Sequence, residues 1–310
     1  VIGGSGFIGS HVVDKLMEHG HEVTIFDIKK PHRGDVSHIH IDITDLSKTA
    51  VALTGYYDVV YLLAAIADVN DVYRNPVEAT QVNILGVTNV LEAARRSNIS
   101  RVILASTTWV YELTPGGNVA EDSSFYVQRA NHIYTTQKVA AELLCHSYHK
   151  TYGQKFTILR YGIPYGPRAR GGTVLAIFVK RAFAGEPLTI FGDGRQYRNF
   201  IYVEDLAEGN VAALQDIAVN QTYNLEGKRP VTVREVAETV QKVVGEVAIE
   251  YKEARAADFP GSTVSFEKAR KELGWEPKVD FEEGARRYIE WYKEFVLTKE
   301  KSYELSKHGR

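Results

Sequence analysis

At 310 residues the chain is long enough for a sizeable core, as two domains or one large α/β unit, and its 44% apolar and 25% charged shares are those of an ordinary globular protein. A net charge of −2 gives no reason to expect nucleic acid or an anionic membrane as a partner, and nothing approaches the roughly 18 consecutive apolar residues of a membrane-spanning helix. One cysteine, Cys145, excludes an intrachain disulfide and a thiolate metal cluster, so no metal is expected and a reducing, cytoplasmic setting fits.

The segment VIGG reads as the end of a strand, and GGSGFIG leads from it into a helix over 7–18 that stops at His19-Gly20. Further strands are predicted in HEVTIFD ending at Asp27, HIHID ending at Asp42, DVVYLLA (58–64), RVILAS (101–106) and KFTILRY (155–161). They are short, rich in Val, Ile and Leu, and barely alternate, as strands buried on both faces should read. Long helices are predicted at 76–97 and 131–150. After Tyr161, GIPYGPRARGG (162–172) leaves regular structure. A helix near 173–184, the loop FGDGRQYRNF (191–200), a helix opening at VEDLAEG, a strand in QTYNLEG (221–227) and helices around 231–244, 265–273 and 281–296 complete the chain.

Strand and helix in repeated alternation imply an α/β fold, a Rossmann-type doubly wound parallel sheet with helices on both faces. Residues 1–161 form the expected dinucleotide-binding domain, with 200–227 returning to it. Residues 162–199 and 228–297 form a smaller α+β substrate domain, and 298–310 a charged tail.

Gly3, Gly6 and Gly9 stand three apart between strand and helix. Glycine there permits a tight turn and close approach to a pyrophosphate, which the helix N-terminus attracts. Asp27 ends the next strand 18 residues after Gly9, near the distance of the acid that binds a ribose hydroxyl pair, and repulsion of a 2′-phosphate favours NAD over NADP. Tyr134 and Lys138 lie one helical turn apart and share a face, so an ammonium is available to favour the phenolate. Tyr303 and Lys307 repeat that spacing in the tail. Only the first pair comes after a strand, RVILAS, that delivers Ser106, Thr107 and Thr108 to the carboxyl edge of the sheet, where ligands bind.

From GGSGFIG to about residue 296 the chain resembles the extended short-chain dehydrogenases/reductases, which act on nucleotide sugars. The resemblance rests on ordered segments: GGSGFIG, FD (26–27), DI (42–43), LLAA (62–65), NILGVTNVLEAAR (83–95), STTWVY (106–111), YTTQK (134–138), LRYGIPYGPR (159–168), GDGRQYRNFIYVEDLAEG (192–209) and KARKELGWEPK (268–278). It implies Tyr134 as acid/base, Lys138 as its tuner and ribose ligand, and Thr107 as the catalytic hydroxyl. The cofactor contacts it implies are Gly3, Gly6, Phe7, Ile8, Gly9, Asp27, Asp42, Ile43, Leu63, Ala64, Ala65 and Asn83, besides Tyr134 and Lys138. On the substrate side it implies Thr107, Phe191, Arg198, Arg255, Asp258 and Ser262, Arg198 and Arg255 being the phosphate-side cations. The family's Phe-Asn after LRY is absent: Gly162 and Ile163 stand there, so backbone N–H groups or other residues must serve the phosphates.

By the same resemblance, dehydratases carry an Asp–Glu pair after the catalytic Thr and decarboxylases keep the Glu, whereas this chain has Thr108 and Trp109. The expectation is therefore an NAD-dependent nucleotide-sugar 4-epimerase acting on UDP-hexoses, with Ser262 leaving room for an N-acetyl group, through a transient 4-keto sugar. The rival within the family is a nucleotide-sugar reductase or dehydrogenase, and the rival of another class a non-catalytic NAD sensor. Helices 76–97 and 131–150 are the pair through which family members dimerise, so a homodimer is expected.

Overall fold

The computed structural model describes residues 1–169, 171–253 and 263–298. They fall into two units. The first holds the described residues of Val1–Gly162, Glu204–Glu226 and Ser262–Glu276, the second those of Ile163–Val203, Gly227–Gly261 and Pro277–Arg310.

In the first unit, strands Gln221–Leu225, Lys155–Tyr161, Arg101–Thr107 and Val59–Leu62 lie side by side, all parallel. Ile2 makes parallel bridges to both Leu62 and Phe26, linking that sheet to the parallel pair Thr24–Asp27 and Ser37–His40. The chain order therefore reverses beside Ile2, which is the crevice where open α/β sheets bind ligands. Arg101–Thr107 is buried at every position, as a central strand covered on both faces must be. Its Val102 and Leu104 join Leu62, Val90, Leu91, Phe156 and Ile158 in one core cluster, each large side chain contributing about 1.5–3 kcal/mol by burial.

Two helices frame the crevice. Phe7–Glu18 begins at Gly6 and ends before Gly20, whose φ of +82° suits glycine. Ile133–Tyr152 ends at Gly153, whose N–H bonds the His149 carbonyl at 2.9 Å. The predicted helix 76–97 is a helical run with a π-turn inside it: Pro76–Thr80, then Gln81–Gly86 with wider turns, then Val87–Arg96. Short helices Leu46–Ala52 and Val69–Arg74 add to the expected elements; each opens on an aspartate cap, Asp45 or Asp68.

The second unit departs further from the sequence expectation. Part of the predicted loop 191–200 is strand Tyr197–Tyr202, and the Gly/Pro-rich stretch contains strand Ile163–Tyr165. The two pair in parallel, with Pro230–Thr232 antiparallel on the other side, so Pro164 sits on an edge strand, where its missing N–H costs no ladder bond. Leu188–Phe191 pairs in parallel with Ile249–Lys252. Helices Val174–Phe183, Val233–Val244 and Phe281–Trp291 cover a core containing Phe178, Val179, Ile190, Val236 and Ile289, and Phe281–Trp291 runs on into a π-turn, Tyr292–Leu297. Residues 263–276, expected in the second domain, pack in the first. There Thr263–Val264 pairs with Asn118–Val119, and the Trp275 indole N–H donates to the Asp205 carbonyl at 2.9 Å.

Candidate active site

The glycine turn is shaped by contacts that no larger residue would allow. Gly3 has φ +85°, and a Cβ there would lie 2.5 Å from the Ala64 nitrogen; one on Gly9 would lie 2.1 Å from the Gly3 carbonyl oxygen. Strand end, turn and helix thus touch backbone to backbone. No side chain caps the N-terminus of Phe7–Glu18, so its first-turn N–H groups and dipole are directed at whatever occupies the turn.

Asp27 closes the same crevice: its carboxylate accepts from the Ser5 N–H at 3.0 Å and the Lys29 N–H at 2.9 Å. These bonds fix an acid beside the turn, the geometry a ribose diol requires. A close-packed glycine turn at an uncapped helix start with the Asp27 carboxylate beside it fits an adenine dinucleotide, whose pyrophosphate the turn would hold and whose ribose Asp27 would hold.

The other expected cofactor residues divide. Leu63 and Ala64 donate their N–H groups to the Ile2 carbonyl, at 2.9 and 3.1 Å, and lead with Ala65 out of the sheet beside the turn. Asp42 is exposed and accepts from the Thr44 N–H and hydroxyl. Ile43 is buried, its side chain against Gly86, which leaves only its backbone for an adenine. Asn83 is also buried, and its amide is engaged three ways. It accepts from the Ile66 N–H and donates to the Ile66 carbonyl, both at 2.9 Å, and donates to Gln137 at 2.8 Å. Its side chain therefore pins the loop after Leu62 to the helix that carries Lys138.

Tyr134, Lys138 and Thr107 are gathered by one local assembly. Thr107 ends its strand, 7% exposed, and its hydroxyl accepts from the Trp109 N–H at 3.2 Å, capping the 3-10 helix Thr108–Leu113. The Lys138 ammonium donates to the Ala105 carbonyl at 2.9 Å and lies 5.9 Å from the centre of the Tyr134 ring. Burial lowers its pKa to about 8, with the Glu142 charge acting in the opposite direction. A lysine so placed favours the phenolate of its neighbour. The start of the helix is tied to the 3-10 turn as well, since the His132 ring meets both Trp109 and Glu112.

Behind these groups runs a buried polar network for which the sequence offers no motif. The Ser106 hydroxyl donates to Glu142 at 2.5 Å, and Arg160 grips the same carboxylate through Nε at 3.0 Å and Nη2 at 2.8 Å. Arg160 also donates to the Tyr111 hydroxyl, which donates to Asn224, each at 2.8 Å. Ser106 and Arg160 are register partners on adjacent strands, and Glu142 comes one turn after Lys138. That is the signal that could have found them: four residues along the helix, and one step before Thr107 on the strand. Cys145 lies nearby, buried and free, its thiol pushed up to about 12 by burial.

On the expected substrate side, Arg198 is half-buried in strand Tyr197–Tyr202, its Nη1 donating to the Tyr197 carbonyl at 2.7 Å. Phe191 ends strand Leu188–Phe191, and its carbonyl accepts from the Gln196 amide. Arg255, Asp258 and Ser262 lie outside the described residues, as do Tyr303 and Lys307. At the position of the family Asn, Gly162 donates its N–H to the Leu225 carbonyl at 3.0 Å and Ile163 opens a strand.

A parallel sheet with a glycine turn and an acid at its switch point, and a Tyr–Lys helix beside it, defines a dinucleotide-binding enzyme class. Residues 1–225 match the NAD dependent epimerase/dehydratase family, and the chain belongs to that family, with NAD as its cofactor. It is 31% identical to UDP-glucuronate 4-epimerase of Thermodesulfobacterium geofontis, over 96% of both chains. It is 33% identical to UDP-glucuronic acid decarboxylase 1 of Arabidopsis thaliana, over 98% of this chain and 72% of that one. Among solved structures it is similar to UDP-glucose 4-epimerase of Thermotoga maritima with UDP-glucose, at 30% identity and a TM-score of 0.88, over 95% of this chain and 98% of that one. No helix among the described residues is long and apolar enough to cross a membrane.

Proposed function

We propose that the protein interconverts nucleotide sugars epimeric at C4, with UDP-hexoses and UDP-hexuronates as the substrate class. The observation that carries this reading is the identity of the two residues after Thr107. Relatives of this chain include both 4-epimerases and decarboxylases. At the positions where elimination or decarboxylation chemistry places acids, this chain has Thr108, its hydroxyl 3.3 Å from the Tyr161 carbonyl, and Trp109. Neither exchanges protons at neutral pH, whereas 4-epimerisation asks for no acid there.

The chemistry that bound NAD would supply is the acceptance and return of a hydride at C4. The chain's own residues do the rest. The glycine turn and Asp27 hold the dinucleotide, and Lys138 favours the Tyr134 phenolate. Tyr134 takes the proton of the C4 hydroxyl and later returns it, and Thr107 shares the hydrogen bond to that oxygen. Arg198, with Arg255, is the proposed diphosphate cation, since a guanidinium is permanently charged and bidentate. Phe191, Asp258 and Ser262 complete the proposed substrate set. The unpaired Cys145 fits a reducing, cytoplasmic setting. A homodimer is part of the proposal, supported by exposed apolar side chains on the two expected helices: Val77 at 72%, Leu85 at 47% and Leu143 at 60%.

The test is a panel of UDP-glucose, UDP-galactose, UDP-N-acetylgalactosamine and UDP-glucuronate, incubated with the purified protein without added cofactor. Interconversion of C4 epimers is expected for at least one sugar, with loss of at least about a hundredfold in Tyr134→Phe. Release of carbon dioxide, a 6-deoxy-4-keto product, or turnover only with added NADH would overturn the reading.

A further inference from the structure

The acid absent at Trp109 appears three residues on. Trp109 and Glu112 lie in the 3-10 helix Thr108–Leu113, in which residues three apart eclipse one another. Both meet His132. The Trp109 and His132 rings pack edge to face with centres 5.7 Å apart, and Glu112 Oε2 stands 2.5 Å from His132 Nδ1. The other oxygen of Glu112 accepts the His132 backbone N–H at 3.3 Å, and the Tyr73 ring lies 6.4 Å away on the same imidazole.

His132 precedes Tyr134 by two residues and Trp109 comes two after Thr107, so the pair is bracketed by both proposed catalytic groups. A carboxylate only accepts, so Nδ1 carries the proton that bonds Glu112. The remaining ring nitrogen, Nε2, has no hydrogen-bond partner among the described residues and is the atom left to bind or release a proton. Glu112 is 11% exposed and His132 33%, so the carboxylate is shielded while the imidazole is accessible. An imidazole oriented by a largely shielded carboxylate through one nitrogen and open at the other is the arrangement of a general base.

We propose that Glu112 and His132 form a second acid–base pair in this site, exchanging the proton on a carbon next to a C4 ketone. The inference rests on the nucleotide-sugar reading above. When C4 is at the ketone level, the hydrogens on C3 and C5 become acidic. His132 Nε2 takes one as a proton, the C–H electron pair becomes the new C–C double bond, and the carbonyl π pair moves onto the C4 oxygen. The reverse step returns a proton from Nε2. If that proton has meanwhile exchanged with water, the sugar leaves with a solvent hydrogen, and returned from the opposite face it inverts that centre. No oxidant or reductant is consumed. Elimination does not result, because it also needs an acid at the leaving group and Thr108 supplies none.

The experiment uses NAD-loaded protein carrying Tyr134→Phe, which blocks proton transfer at the C4 oxygen, with UDP-4-keto-6-deoxyglucose in deuterium oxide. Proton NMR is expected to show deuterium entering C3 or C5 at least tenfold faster than without protein. Adding His132→Gln is expected to lower that rate at least tenfold. Glu112→Gln, which keeps a hydrogen-bonding group against the ring but removes its charge, is expected to lower it several-fold and serves if the histidine variant does not fold. Exchange no faster than in the protein-free control, or unaltered by either change, would leave the pair a structural clamp and overturn the inference. Intact exchange in a native protein that interconverts no C4 epimers would instead sink the epimerase reading and leave this one standing.

Discussion

The Lys138 ammonium reaches the Ala105 carbonyl at 2.9 Å, so the helix that carries Tyr134 is docked onto the strand that ends at Thr107 by a buried positive charge. Burial of that charge has a pH signature. In the folded chain Lys138 titrates near 8, below its ordinary 10.5. Under pH 8 both folded and unfolded chains carry the charge, and the desolvation cost is fully present. Between 8 and 10.5 the folded chain gives up a proton that the unfolded chain keeps, so stability rises with pH, in total by on the order of 3 kcal/mol. Lys138→Met lacks this effect. Urea unfolding at pH 7 and pH 10 should show the native protein gaining on the variant; a constant difference would mean the ammonium is solvated.

Gly9→Ala places a methyl group where the Gly3 carbonyl oxygen already lies, 2.1 Å away. Either the turn or the helix must shift. The expected results are a loss of about 2 kcal/mol or more and NAD binding weakened at least tenfold, read by thermal melting and by titration with the dinucleotide. Gly20→Ala is the comparison. It meets open space but keeps a positive φ, so it should cost about 1 kcal/mol and leave NAD binding unchanged.

Glu142 is the hub of the buried network, holding Ser106 and Arg160. Glu142→Gln leaves the Arg160 guanidinium buried without its counter-charge and should cost about 3–5 kcal/mol. Glu142→Gln with Arg160→Met removes the stranded charge and should recover part of that loss. Equal destabilisation by the single and double replacements would show that the pair's charge is not what matters there.

The proposed dimer makes its own demand on Leu143, 60% exposed on helix Ile133–Tyr152. Leu143→Lys in a monomer would change stability by less than about 0.5 kcal/mol. In a dimer it buries an unpaired charge at the interface. Light scattering should report a dimer for the native protein and a monomer for the variant, and identical masses would remove this face from the interface.

The sheet was legible in the sequence because its strands are continuous apolar runs: RVILAS and KFTILRY, with both faces buried, cannot be mistaken for surface loops. The glycine turn and the position of Asp27 beside it were legible because both depend on backbone spacing along one short stretch. The strands of the second unit were not. Tyr197–Tyr202 carries Arg198 and Asn199 among aromatic residues and comes after Asp193-Gly194, so local composition reads as loop while partners from residues 163–165 and 230–232 make it a central strand. Glu112 and His132 were invisible for a similar reason. Twenty residues separate them, and only the 3-10 turn after Thr107 and the start of the next helix bring them into contact. Asn83 matches a cofactor contact by its place in the chain, but its amide holds the Ile66 backbone from both sides, a role that no linear pattern distinguishes from direct ligation.

The wide turn at Gln81–Gly86 takes up one extra residue without altering the rotational phase of the helix beyond it. Six residues at the wider i→i+5 turn wind through about the same angle as five at roughly 100° each, so deleting one residue there would let an ordinary helix form with Val87–Arg96 still facing the sheet. Val90, Leu91 and Ala94 would stay turned to the sheet, and Asn89 would keep the Ile43 carbonyl it now bonds at 2.8 Å. The surplus residue is thus housed within one turn, and both flanking helices pack as they would without it.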